Sequence, residues 1–199
     1  MIAIVDYGMG NLRNVRRAIE TLGYTACVTN DRSVIAAAGK VILPGVGAFG
    51  EAVKRIEHLG LREPLIDHVG YGKPLLGICL GMQLLFERSE ESPGAVGLCL
   101  LEGEAKKFNG GVKVPHIGWN DVVPVSASTI FGALGQAQQG CFYFVHSYYV
   151  PDSPGEVAVT TYGTRFMSAV QRGNVMGVQF HPEKSQSAGL KLLKNFAEF

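Results

Sequence analysis

A single cysteine lies between two glycines after an apolar run, in the segment Gly77-Ile78-Cys79-Leu80-Gly81. Gly-x-Cys-x-Gly is the cysteine form of the nucleophile elbow, a sharp turn that joins a buried strand directly to a helix. Glycines are needed there because the turn strains its apex and brings backbone so close that a Cβ would clash. The helix N-terminus favours thiolate over thiol, so the pattern predicts that Cys79 attacks a carbonyl group. A buried, inert cysteine at a tight junction is the alternative.

A nucleophilic cysteine requires a base, and the base requires a group that orients it. The string His181-Pro182-Glu183 follows an apolar run late in the chain. Proline favours extended geometry at the residue before it, and residues two apart in an extended chain point the same way. Glu183 can therefore orient one imidazole nitrogen of His181 while the other faces the thiol. Spacing alone leaves His116 and His146 open as alternative bases.

Acyl chemistry on sulfur also needs N–H donors for the developing oxyanion. In elbow enzymes one donor is the backbone N–H after the nucleophile, which here belongs to Leu80. The other comes from the loop after the third strand, and the peptides of Pro44-Gly45-Val46-Gly47 could turn an N–H inward. Gln83 lies four residues after Cys79, on the same helix face, where its amide could bind a polar substrate.

Composition excludes several classes of function. The chain has 199 residues and a net charge of +1, so no nucleic acid or other polyanion is expected as a partner. It has no apolar run of membrane-spanning length and no signal-peptide pattern at its start, which predicts a cytoplasmic protein without a membrane partner. The four cysteines are scattered and predicted to be reduced, and no metal or cofactor is expected.

The apolar periodicity changes along the chain. Strand–helix alternation before Ser89 predicts an α/β fold with a mostly parallel central sheet, and shorter runs after it predict antiparallel hairpins. No linker divides the chain, so residues 1–199 are predicted to form one domain. The predicted strands are Ile2–Val5, Tyr24–Thr29, Val41–Leu43, Leu75–Ile78, Cys99–Phe108, Trp119–Val125, Cys141–Val150, Val157–Tyr162, Phe166–Gln171 and Val175–Phe180. Predicted helices include Leu12–Leu22, capped by Asn11, as well as Leu80–Arg88 and Ser187–Phe199.

The elbow and the His-Pro-Glu string resemble the class I, triad-type glutamine amidotransferases. Four further strings resemble, within that family, the glutaminase subunits of imidazole glycerol phosphate synthase. These are Asp6–Leu12, Pro44–Phe49, Val114–Asn120 and Phe144–Tyr149. The resemblance covers the chain from its first strand to its last helix and implies a three-layer α/β/α fold with an antiparallel, β-rich second half.

The resemblance also implies a reaction. Cys79, activated by His181 and oriented by Glu183, would attack the side-chain amide of glutamine to form a γ-glutamyl thioester and release ammonia. The ammonia would pass to a separate (β/α)₈-barrel cyclase subunit, forming a heterodimer that makes imidazole glycerol phosphate and an aminoimidazole carboxamide ribotide in histidine biosynthesis. A dry route is expected on physical grounds, because water protonates ammonia quickly at neutral pH.

Further residue roles follow from the same resemblance. Val46 and Leu80 would supply the oxyanion N–H groups. Glutamine would be held by Gly47, Gln83, Ser147 and Tyr148, and the cyclase would be faced by Asn11, Trp119 and Lys184. Alternative functions are the glutaminase of another amidotransferase, such as anthranilate synthase, a cysteine hydrolase of similar fold, and a redox sensor that uses Cys79.

Overall fold

The computed structural model describes residues 1–109, 111–132 and 140–199. Its helices are α1 (Leu12–Thr21), α2 (Arg32–Ala37), α3 (Phe49–His58), α4 (Arg62–Gly70), α5 (Leu80–Gln83) and α6 (Gln186–Glu198), with a 3₁₀ turn at Pro182–Lys184. Its strands are β1 (Ile2–Val5), β2 (Ala26–Thr29), β3 (Lys40–Gly45), β4 (Leu75–Cys79), β5 (Arg88–Ser89), β6 (Glu104–Lys107), β7 (His116–Pro124), β8 (Gly140–His146), β9 (Tyr148–Tyr149), β10 (Glu156–Tyr162), β11 (Thr164–Arg172) and β12 (Val175–Val178).

The main sheet has nine strands in the order β2-β1-β3-β4-β12-β11-β10-β7-β8. The strands from β2 to β12 in this order run parallel, and those from β12 to β8 pair antiparallel. A small second sheet has the order β5-β6-β9. The predicted α/β fold, with a parallel sheet early in the chain and antiparallel strands later, is confirmed.

Helices cover both faces of the sheet because successive strand side chains alternate between faces. On one face, Ile4 belongs to the same buried cluster as Ile19 of α1 and Leu193 of α6. On the other face, Val5 belongs to a cluster that includes Ile56 of α3. Within the described ranges, none of the helices is long and apolar enough to cross a bilayer.

The elbow helix is shorter than its sequence pattern predicts. The prediction of a helix over Leu80–Arg88 is wrong, because α5 ends at Gln83. The carbonyls of Leu84 and Leu85, which a longer helix would use internally, accept hydrogen bonds from the N–H groups of Leu98 and Leu100, at 2.7 and 2.9 Å. The segment that contains Leu98 and Leu100 therefore supplies the hydrogen bonds that a further turn of α5 would have made.

Other local predictions also differ from the structure. The run Cys141–Val150, predicted as one strand, divides into β8 and β9, which belong to different sheets. Asn11 stands at the start of α1, but its side chain makes no capping hydrogen bond, so the predicted cap is wrong. Its amide instead donates to the Glu183 carboxylate at 3.1 Å, a contact between residues far apart in sequence. The apolar run Cys99–Phe108 forms a strand only over Glu104–Lys107.

Close backbone packing at the elbow gives a stability prediction. A Cβ on Gly81 would overlap the Leu43 carbonyl of the neighbouring strand, whereas a Cβ on Gly70, at the end of α4, would meet nothing within 4 Å. We expect Gly81→Ala to lower the free energy of unfolding by about 3 kcal/mol or to prevent folding. The matched Gly70→Ala variant should be neutral or stabilising by up to about 1 kcal/mol. Urea denaturation measures both, and equal losses would contradict the packing argument.

Candidate active site

Cys79 occupies a strained position at the carboxyl end of β4. Its backbone has φ 56° and ψ −112°, outside the region that side-chain-bearing residues normally adopt, and α5 begins at the next residue. Strain of this kind in a central strand is characteristic of functional sites. In open α/β sheets ligands bind beyond the carboxyl ends of the strands. The Cys79 side chain lines a cavity of about 440 Å³ there.

His181 and Glu183 form a buried pair beside Cys79. Nδ1 of His181 donates to Oε1 of Glu183 at 2.9 Å, and the two side chains are 1% and 0% exposed. Nε2 of His181 is buried and has no hydrogen-bond partner among the described residues. Burial acts to lower the pKa of His181, but the Cys79 charge and the Glu183 carboxylate outweigh it and raise the pKa to about 10. An imidazole in this setting can take and hold the proton of a thiol.

Strand order brings the pair to the cysteine. β12 lies beside β4 with Val178 opposite Ile78, so the chain beyond β12 passes next to the elbow. The other neighbour of β4 is β3, whose Gly45 is opposite Cys79. The loop after β3 is therefore at the same edge of the sheet, as the elbow pattern requires.

The two alternative bases are engaged elsewhere. Nδ1 of His146 donates to the Tyr148 carbonyl at 2.8 Å, and its Nε2 faces Nδ1 of His116 at 3.0 Å. Nε2 of His116 lies 3.3 Å from the amide nitrogen of Asn120. Burial lowers the pKa of His116 to about 4 and that of His146 to about 3. All four ring nitrogens are in use, so neither residue has one free for the thiol proton.

Most of the residues singled out from the sequence line the cavity. Those lining it are Val46, Gly47, Cys79, Leu80, Gln83, His146, Ser147, Tyr148 and Lys184. Asn11, Trp119, His181 and Glu183 are not among its lining residues. The amide of Asn11 donates to the Glu183 carboxylate, and Trp119 is 48% exposed on β7.

Trp119 and Lys184 belong to one surface patch although they come from different elements. The ring of Tyr143, opposite Trp119 in the β7–β8 pairing, lies 6.2 Å from the Trp119 ring. Nζ of Lys184 lies 5.5 Å from the centre of the same Tyr143 ring, within cation–π range. Ile117, two residues before Trp119 on the same strand, is 58% exposed. This partly apolar patch borders the cavity through Lys184.

Two polar residues at the site are missed by sequence reasoning. Glu91 lines the cavity, and its Oε2 accepts from the N–H of Phe49 at 2.7 Å, at the start of α3. It belongs to no motif, so no signal marked it. Gln179 is fully buried, and its amide nitrogen lies 3.8 Å from the Cys79 sulfur. A glutamine inside the apolar run Val175–Phe180 was the available signal for this second residue.

The neutral histidine pair predicts loss of stability in acid. The pKa of His146 is about 3 in the folded chain against an ordinary 6.5, so the unfolded chain takes up this proton first as pH falls. Its contribution to the free energy of unfolding is complete above pH 6.5 and is lost towards pH 3, with a limiting slope of about 1.4 kcal/mol per pH unit. Urea denaturation across that window should show a shallower slope in His146→Asn. The exposed His58→Asn variant should keep the wild-type slope, and equal slopes in all three proteins would contradict the burial argument.

Comparisons with known proteins identify the family. The family model described as glutamine amidotransferase class-I matches residues 3–198. The imidazole glycerol phosphate synthase subunit HisH of Moorella thermoacetica is 50% identical over 199 residues, covering 99% of this chain and 94% of the relative. The subunit of the same name from Methanothermobacter thermautotrophicus is 48% identical over 199 residues, covering 100% of this chain and 98% of the relative.

Solved structures agree on the fold. A crystal structure of a glutamine amidotransferase has a TM-score of 0.78 at 20% identity and covers 100% of this chain and 98% of its own. PurLQS from Thermotoga maritima has a TM-score of 0.76 at 20% identity, with 99% and 97% covered. The fold class predicted from sequence is thereby confirmed. The chain belongs to the class-I glutamine amidotransferases and, within them, to the family of the HisH subunits of imidazole glycerol phosphate synthase.

Proposed function

We propose that this chain is the glutaminase subunit of an imidazole glycerol phosphate synthase, hydrolysing glutamine to glutamate and ammonia for histidine biosynthesis. The observation that carries the proposal is the cysteine at the strained elbow, beside a buried His181–Glu183 pair joined at 2.9 Å. Relatives about 50% identical over nearly the whole chain support the choice of this amidotransferase over others. Because the nucleophile must stay reduced, the proposal includes a reducing, cytoplasmic setting.

The proposed reaction is a double displacement at sulfur. Since Nδ1 of His181 donates to Glu183, Nε2 is the basic nitrogen that takes the Cys79 proton. The thiolate attacks the carboxamide carbon of glutamine, and the backbone N–H groups of Leu80 and Val46 stabilise the oxyanion. His181 then returns its proton to the departing nitrogen, which leaves as ammonia. Nε2 of His181 then deprotonates a water molecule, which attacks the thioester. This step releases glutamate, and the proton held by His181 restores the Cys79 thiol.

Polar groups in the cavity suit a free amino acid. Both N–H groups of Gln83 are used, towards the Tyr148 carbonyl at 2.9 Å and Oε1 of Gln179 at 3.0 Å. Its Oε1, to which no described residue donates, is left to accept from substrate N–H groups. The Glu91 carboxylate supplies the negative charge that an α-ammonium group requires. Gly47, Ser147 and Tyr148 line the same space and complete the proposed glutamine site through their backbone.

The proposed partner is a (β/α)₈-barrel cyclase that receives the ammonia. The patch of Ile117, Trp119, Tyr143 and Lys184 combines two exposed apolar side chains, Ile117 and Trp119, with the half-buried Tyr143 ring and one cation. Aromatic residues are enriched at interface centres, whereas a lysine suits the rim. Its position beside the cavity mouth suits transfer of a small neutral product without contact with bulk water. Asn11, whose amide donates to the Glu183 carboxylate, is included in the proposed interface.

Removing the nucleophile separates the two half-reactions. We expect Cys79→Ala, assembled with a barrel cyclase, to lose glutamine-dependent synthesis by at least about 10⁴-fold, since covalent catalysis is abolished. Synthesis from added ammonium should remain near the wild-type rate, because the cyclase site is untouched. Product formation is measured with each nitrogen source in parallel. Loss of both activities would contradict the proposal and assign Cys79 a structural role.

The Glu91 charge should act on substrate binding. We expect Glu91→Gln to raise KM for glutamine about tenfold with little change in kcat, because one charge-assisted contact is lost in ground state and transition state alike. Glu90→Gln is the matched control: Glu90 also accepts from a backbone N–H, that of Lys107 at 2.8 Å, but does not line the cavity. Steady-state kinetics that give the same KM for both variants would exclude Glu91 from the glutamine site.

A further inference from the structure

Two buried glutamine side chains connect the Cys79 sulfur with the Tyr148 carbonyl. The amide nitrogen of Gln179 lies 3.8 Å from the sulfur, and its Oε1 lies 3.0 Å from Nε2 of Gln83. Nε2 of Gln83 also lies 2.9 Å from the Tyr148 carbonyl oxygen. Gln83 is 4% exposed and Gln179 is 0% exposed, so water cannot replace these contacts.

The donor and acceptor chemistry of these groups allows only one direction for the series of hydrogen bonds. A backbone carbonyl only accepts, so the Gln83 atom that faces Tyr148 must be its NH₂ group. That same group must donate to Gln179, whose facing atom is therefore its oxygen. The remaining end of Gln179, turned towards the Cys79 sulfur, must then be its NH₂ group. The orientation of the Gln179 amide is dictated by partners on the side away from the sulfur.

The Tyr148 carbonyl is itself held in place by the histidine pair. The Asn120 amide nitrogen donates to the Thr161 carbonyl at 3.0 Å, which identifies it as the donor to His116. His116 then donates to His146, and His146 donates to the Tyr148 carbonyl at 2.8 Å. Burial keeps the pKa of both histidines low, about 4 and about 3, so they remain neutral and the directions persist at neutral pH.

We propose that Gln179 is a catalytic residue that donates an N–H to the Cys79 thiolate, and that Gln83 and the Tyr148 carbonyl position it for this task. The assignment rests on the proposed glutaminase function. A buried anion requires donors, because an unpaired charge away from water is costly. In the thiol form the Cys79 sulfur lies 3.7 Å from the Val145 carbonyl oxygen, which can only accept and so receives the S–H. When the proton moves to His181, that contact loses its hydrogen, and the Gln179 N–H becomes a charge-assisted donor.

The first test removes the side-chain N–H of Gln179 and keeps an oxygen that can accept from Gln83. In Gln179→Glu, one oxygen still accepts from Gln83 while the other presents no amide N–H to the sulfur. We expect alkylation of Cys79 by iodoacetamide at neutral pH to slow on the order of 10- to 100-fold in the uncharged Gln179→Met, the range for one hydrogen bond to a charged group. Gln179→Glu should slow it at least as much, because its carboxylate lacks the donor and also repels the thiolate. Peptide mass spectrometry follows Cys79 against the exposed Cys99 and Cys141 of the same molecule, whose rates should not change. In the complex with the cyclase, kcat for glutamine should fall over the same range with KM nearly unchanged.

Gln171→Glu is the matched control. Gln171 is likewise held at both ends of its amide, by the Ser128 hydroxyl at 2.7 Å and by Thr129 at 2.7 Å, but it does not contact Cys79. It should leave alkylation and kcat unchanged. Gln179→Met, which also lacks the donor, should reproduce the slow alkylation. A folded Gln179→Glu or Gln179→Met protein that alkylates at the wild-type rate overturns the assignment.

A measurement that leaves Gln179 intact covers the case in which both of its variants fail to fold. The side-chain NH₂ resonances of Gln179 should shift on alkylation of Cys79, while those of Gln171 should not. An unshifted Gln179 signal overturns the proposal. If the wild-type complex releases no ammonia from glutamine although the alkylation results hold, the proposed function fails and the contact between Gln179 and the thiolate stands.

Discussion

The geometry of the site depends on close backbone packing around the strained residue Cys79. A Cβ on Gly77 would come 2.6 Å from the Gly81 carbonyl oxygen, and one on Gly45 would come 2.8 Å from the Gly81 nitrogen. Bare backbone at these positions lets β3, β4 and α5 meet more closely than side chains allow. Cys79 keeps its positive φ because β4 is paired with β3 on one side and β12 on the other, which holds the backbone in place. The Cys79 thiol therefore lies at the N-terminus of α5 and also lines the cavity.

Strand order then places His181, the proposed base, beside the elbow. β12 pairs with β4 although Gln179, just beyond β12, is 100 residues from Cys79 in sequence. The same pairing brings His181 and Glu183 into a region closed to water, where their contact is strong and rigid. Asn11 adds a second donor to the Glu183 carboxylate from the start of α1. Elements from the beginning, middle and end of the chain therefore meet around Cys79, His181 and Glu183.

Three histidines near the cavity illustrate how environment determines protonation. All three are buried, which by itself disfavours the charged form. His181 faces Cys79 and Glu183, whose negative charges reverse the effect and raise its pKa. His116 and His146 face each other and neutral amides or carbonyls, so their pKa values fall. The same side-chain type is thus a candidate proton acceptor at position 181 and part of a fixed series of hydrogen bonds at positions 116 and 146.

The amino-acid sequence by itself determined the parts of this protein that depend on neighbouring residues. Glycines on both sides of Cys79 specify the elbow, apolar periodicity specifies the order of strands and helices, and Glu183 two residues after His181 specifies their pairing. Tertiary structure alone decided the end of α5, the contact of Asn11 with Glu183 and the hydrogen bonds of His116 and His146. It also decided the position of Glu91 at the cavity and of Gln179 beside the Cys79 sulfur. Steric and periodic preferences act over a few residues and are legible in sequence. A hydrogen bond between distant segments exists only once the sheet order has brought its donor and acceptor together.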